Sequence, residues 1–151
     1  MAEENELPRA LPGAVFVPEE TLRMIAEKIA KLSDQERKSQ KVILVRSGRY
    51  RASTDQVVLY EHFSRMAPPK AELIQVAVSR VKDVPLEQRV LMGASEENDL
   101  FLEFLNKYWD KDLVLDSWMT LMTCYNLRGG LIDRFVETFR FHSTLLSSDQ
   151  E

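Results

Sequence analysis

Three side chains here are of the types that ligate soft metals or attack electrophiles: His62, Cys124 and His142. A zinc site needs ligands that converge on one ion, and CxxC or HExxH spacings achieve that locally. These three lie 62 and 18 residues apart, and neither motif occurs. Cys124 stands between Thr123 and Tyr125 in an apolar run, where a thiol behaves as a small hydrophobe. The glycines at 13, 48, 93, 129 and 130 build no Walker loop or dinucleotide fingerprint, and GxSxG is missing. Arg128-Gly129-Gly130 could offer backbone N–H groups to an anion, although a helix-breaking turn explains it equally well. Asp110, Asp112 and Asp116 cluster without the glycine-centred loop of a calcium site. The expectation is a protein that is not an enzyme and holds no metal or cofactor.

Binding chemistry is better represented. No acid occurs between Glu36 and Asp55, while Arg37, Lys38, Lys41, Arg46, Arg49 and Arg51 give that segment six positive charges. The chain as a whole carries -4, so the remainder carries -10. Such a segment could meet nucleic acid or another anionic surface, although charge runs ordinarily just face water. It has one aromatic residue, Tyr50, and single-strand binders usually show more. Arginines precede Ser53 in Arg49-Tyr50-Arg51-Ala52-Ser53, a pattern that suits a basophilic phosphosite. A second binding candidate is a surplus of rings toward the C-terminus. Phe101, Tyr108, Trp109 and Phe141 fall on more than one helix face and are candidate anchors for another protein. That gives the leading expectation, an interaction module such as an adaptor or complex subunit. Anion binding through 37–51 is its rival.

These residues must be held by elements, and the spacing of apolar positions reads as helical. Val17-Pro18-Glu19-Glu20 opens a helix carrying Leu22, Ile25, Ile29 and Leu32, and Ser33 with Glu36 has capping-box spacing. Val42-Ile43-Leu44-Val45 and the Ser47-Gly48 turn suggest a small hairpin over 41–52. Further helices are expected from Ser53–Asp55 to Met66, from Leu73 to Val84, and from Leu86 to Gly93. Another follows a Ser95 cap, one runs from Leu113 to Met122, and a last starts at Leu131. The expected core is Leu73, Val76, Leu100, Phe104, Trp118, Leu121, Leu131, Phe135 and Phe139.

Two local patterns are similar to known families. Phe104 to Trp118, with Lys107, Asp110, Asp112, Leu113 and Val114 between, resembles a helix–turn–helix block in the C-terminal region of zinc alanyl aminopeptidases. The zinc motif is missing, so the resemblance implies only a non-catalytic helical piece. From Pro69 onward, Met92-Gly93-Ala94-Ser95 and the Trp118 segment resemble the order of a death-fold bundle, which implies an all-helical interaction domain.

Composition bounds the rest. At 151 residues, 44% hydrophobic and 29% charged, the chain has the makeup of one globular domain. One cysteine forms no internal disulfide, and no apolar run approaches the about 18 residues of a membrane helix. The combined expectation is an all-α bundle of five to seven helices over 15–146, with a possible hairpin near 41–52. A disordered acidic tail over 1–14 and a polar end over 147–151 would flank it. The expected setting is cytoplasmic or another intracellular compartment, without a membrane span.

Overall fold

The computed structural model describes residues 9–60, 67–94 and 98–150, and their side chains apart from 98, 99 and 143–150. It is mixed α/β, which corrects the all-α expectation. The strands are β1 (Arg9–Ala10), β2 (Ala14–Phe16), β3 (Val42–Ser47), β4 (Tyr50–Arg51), β5 (Gln56–Tyr60), β6 (Lys70–Arg80) and β7 (Trp118–Arg128). The helices are α1 (Glu19–Ala30), α2 (Asp34–Ser39), α3 (Leu86–Met92), α4 (Asn98–Tyr108) and α5 (Gly130–Gln150). A five-stranded sheet runs in the order β2-β5-β6-β7-β3, and β1 pairs with β4 in a separate ribbon. All pairings in the larger sheet are antiparallel except β2 with β5.

Side chains of a strand alternate between faces, and β7 is buried on both. Met122 and Cys124 join one apolar cluster with Leu22, Ile25 and Ile29 of α1 and Ile132 and Val136 of α5. Met119 and Leu121 join a second with Met92 of α3 and Phe101 and Leu105 of α4. Helices therefore cover both faces of the sheet. Leu11, assigned by composition to a tail, is 2% exposed in the first cluster, and residues 9 to 14 supply β1 and the start of β2.

Where caps and helical spacing agree, the expected helices are present. Glu19 and Glu20 lie in the first turn of α1, and Ser33 and Glu36 form both hydrogen bonds of a capping box on α2. Gly93 ends α3 at φ 95°, in the left-handed region that favours glycine. Arg140 of α5 ties these elements together, donating to the carbonyls of Ala30 and Leu32 and to Asp34 at 2.8 Å.

Three expected helices are strands instead: β5, β6 and β7. The Lys70–Arg80 stretch reads as helical partly through a bulge, and Trp118–Arg128 because apolar residues on both of its faces hide the alternation. Leu73 pairs with Cys124 and Val76 with Met122, so three steps on β6 match two on β7. The extra residue brings Leu73 and Val76 to the same face, a spacing that otherwise belongs to a helix. The other irregularity lies between Lys70↔Arg128 and Glu72↔Tyr125, where Asn126 has φ 57°. It places Cys124 and Leu127 together in the first cluster. The hairpin expected over 41–52 is also revised, because β3 pairs with β7 and β4 with β1. The aminopeptidase-like and death-fold-like readings go with the helices, since the chain after α4 enters β7 at Trp118. Of the expected core only Leu121 is fully buried; Leu100 is exposed, and the rest are half-buried. The stretch 61–66, with His62, and the Ser95 cap lie outside the described residues.

Candidate anion-binding site

The turn after β3 is fixed by one hydroxyl. Thr120 donates to the Gly48 carbonyl at 2.8 Å and accepts from the Tyr50 backbone N–H at 2.9 Å. Gly48 itself has φ 94°, and its N–H donates to the Trp118 carbonyl at 3.0 Å. This lays Tyr50 back over the sheet. Register then decides which charges meet. Arg46 pairs across with Thr120, and Arg80 with Trp118. Residues 118 and 120 share a face, so Arg46, Trp118 and Arg80 share it too.

At this end of the sheet guanidinium groups lie against rings. Arg46 sits 4.8 Å from the Tyr50 ring centre, and Arg80 and Arg49 lie 4.7 and 5.5 Å from that of Trp118. Each such contact is worth about 0.5–1 kcal/mol at an exposed site and more when desolvated. Among the described residues, two acids flank the cluster. Asp116 pairs with Lys82 at 2.7 Å and with Arg80 at 3.9 Å, and Asp110 accepts from Ser47. The Lys82 hydrogen bond and charge, assisted by Arg80, hold the Asp116 carboxyl below its ordinary value. The rings of Tyr50 and Trp118 remain partly exposed.

The basic segment does not act as one strip. Arg37 is committed to structure, donating to the Leu127 carbonyl and to Asp133. Lys38 and Lys41 lie before β3, away from the rings, and Arg51 is exposed on β4 beside β1. Arg80 and Trp118 were not singled out for this chemistry by sequence. The antiparallel registers of β3 and of β6 on β7 bring them to Arg46 and Arg49.

The aromatic anchors separate as well. Phe101 is 2% exposed within the second cluster, with Arg89 4.7 Å from its ring centre. Trp109 packs against both clusters, and its buried Nε1–H has no hydrogen-bond partner. Tyr108 is half-buried on Phe104, with their ring centres 5.1 Å apart. Phe141 is 62% exposed. Ser53 donates its hydroxyl to the Leu11 carbonyl, so a phosphate there would have to break that joint.

Cys124 is fully buried, and desolvation pushes its thiol up to about 12. His142 lies beside the Phe141 ring on the surface. Among the described residues no group of three His, Cys, Asp or Glu side chains could hold a metal ion. None of their helices is long and apolar enough to cross a membrane. Comparison with protein-family models, curated proteins and solved structures gave no match.

Proposed function

We propose that the chain is a non-enzymatic binding module that takes single-stranded nucleic acid at the Arg46–Arg49–Arg80 surface. The observation that carries this reading is the stacking of three guanidiniums on Tyr50 and Trp118 at one end of the sheet. Such a surface offers charge to phosphates and guanidinium planes, backed by rings, on which bases can stack. The overall charge of -4 acts against adsorption elsewhere on the molecule, so contact is confined to this end. The protein-docking alternative keeps exposed Phe141 and half-buried Tyr108 among its four anchors, because Phe101 and Trp109 serve the core.

Fluorescence anisotropy with a labelled oligo(dT) strand, titrated over a range of salt, tests the proposal. Three phosphate contacts on a single strand give a slope of log K against log salt of about -2. Arg46→Ala and Arg49→Ala should each weaken binding and flatten that slope by about 0.7. Trp118→Phe should remove the change in tryptophan emission on binding, since Trp109 packs against the two apolar clusters and not beside the arginines. Failure to bind, or binding whose slope ignores both arginines, would sink the reading.

A further inference from the structure

A second feature lies beside the first residues of β3, at the opposite end of that strand from Arg46. A cavity of about 250 Å³ opens there, walled by Met24, Ile25 and Ile29 of α1, Val42 of β3, and Val90 and Leu91 of α3. Among the described residues, the charged groups lining it are Lys28 and Lys41, with Gln40 as the remaining polar side chain. We infer that this groove binds a small amphipathic monoanion, a carboxylate carried on an unbranched apolar body.

The placement of Lys28 argues for the charge. Its stem is exposed, but its ammonium lies over Gly93, where an added Cβ would collide with Nζ. Among the described residues no ion pair uses Lys28 and no carboxylate lines the groove. Partial desolvation lowers the affinity of this amine for its proton, and Lys31 nearby lowers it further, against a smaller opposing effect of Glu27. A cation near the C-terminus of α3 complements the helix dipole, which accounts for where the ammonium sits. It does not account for an open apolar groove at its side. A ligand carboxylate would supply the counter-charge, and its chain would cover the exposed Val90.

Size sets the body. A cavity of about 150 Å³ takes benzene, so about 250 Å³ suits about ten non-hydrogen atoms, the size of octanoate. The volume falls just below the about 300 Å³ at which sites for drug-sized ligands begin.

Calorimetric titration of the full chain with sodium octanoate and with 1-octanol provides the test. Octanoate should bind at least about tenfold more tightly, the equivalent of one charge-assisted contact of about 1.4 kcal/mol. Lys28→Met should bring the two ligands to similar affinity while retaining octanol, and Arg46→Ala should change neither. In the unaltered protein, octanoate should slow acylation of Lys28 by an amine-reactive reagent, read by mass spectrometry, with exposed Lys31 as the unprotected control. Equal binding of the two ligands, or undiminished octanoate preference in Lys28→Met, overturns the inference. So does unchanged acylation of Lys28. Tighter binding of an acetylated Leu-Leu dipeptide than of octanoate would assign the groove to a protein C-terminus instead, which also overturns it.

Discussion

Cys124 and Trp109 show how burial decides what a reactive or sticky side chain does. The Cys124 thiol is raised from 9.0 to about 12 by desolvation, so below 9.0 it is neutral in folded and unfolded chains alike. Between 9.0 and 12 the unfolded thiol ionises first, and stability falls by up to about 1.4 kcal/mol per pH unit. Urea unfolding of Cys124→Ala and the unaltered chain at pH 8 and above 9 should show the stability gap between them narrowing as pH rises. Reaction of the native protein with a thiol reagent at pH 8 should wait on unfolding. Trp109 carries an orphaned indole N–H between two apolar clusters. Trp109→Phe removes an unsatisfied donor while keeping a ring, so the cost in thermal unfolding should be within about 1 kcal/mol. Trp109→Ala should cost about 3–5 kcal/mol. A lost complex in that variant would therefore report on folding, not on docking.

At the scale of elements, caps and bulges separate what was legible from what was not. The capping box at Ser33 and Glu36, the glutamates opening α1 and the glycine closing α3 are local signals, and those helices lie where such signals put them. The strands β6 and β7 defeated the same reading, and on β6 a bulge converts alternation into a three-residue step at Leu73/Val76. A period of two had also been obscured by burial of β7 on both faces. The site was half visible: Arg46 and Arg49 announce their charge, whereas Arg80 and Trp118 join them only through non-local pairing. Gly93 offers a test at this scale. Gly93→Ala should destabilise the protein by about 1–2 kcal/mol in denaturant titration, because φ 95° strains any residue with a Cβ. The Lys28 ammonium can swing aside, so most of that cost should persist in a Lys28→Ala background.

Over the whole molecule, both apolar clusters depend on one strand. β7 donates Met122 and Cys124 to one face and Met119 and Leu121 to the other, while β3 and β6 flank it. A chain ending at residue 117 should therefore lack cooperative thermal unfolding and slow amide exchange, even though it keeps α1, α3 and α4. Persistence of protected amides in β3 of that fragment would show that the clusters stand without β7.

The position of β7 has a further consequence for how the protein is made. Val42 and its partner Cys124 are separated by more than eighty residues of chain, and synthesis delivers them in that order. For that interval the Val-Ile-Leu-Val run of β3 has left the ribosome with neither its neighbour strand nor the second half of its apolar covering. Such a segment is a template for association between nascent chains. Basic residues precede and follow it, Lys38, Lys41, Arg46 and Arg49, and like charges flanking an apolar strand oppose such association. Arg46 and Arg49 would then serve two stages in the life of the protein, as gatekeepers during synthesis and as binding groups afterwards.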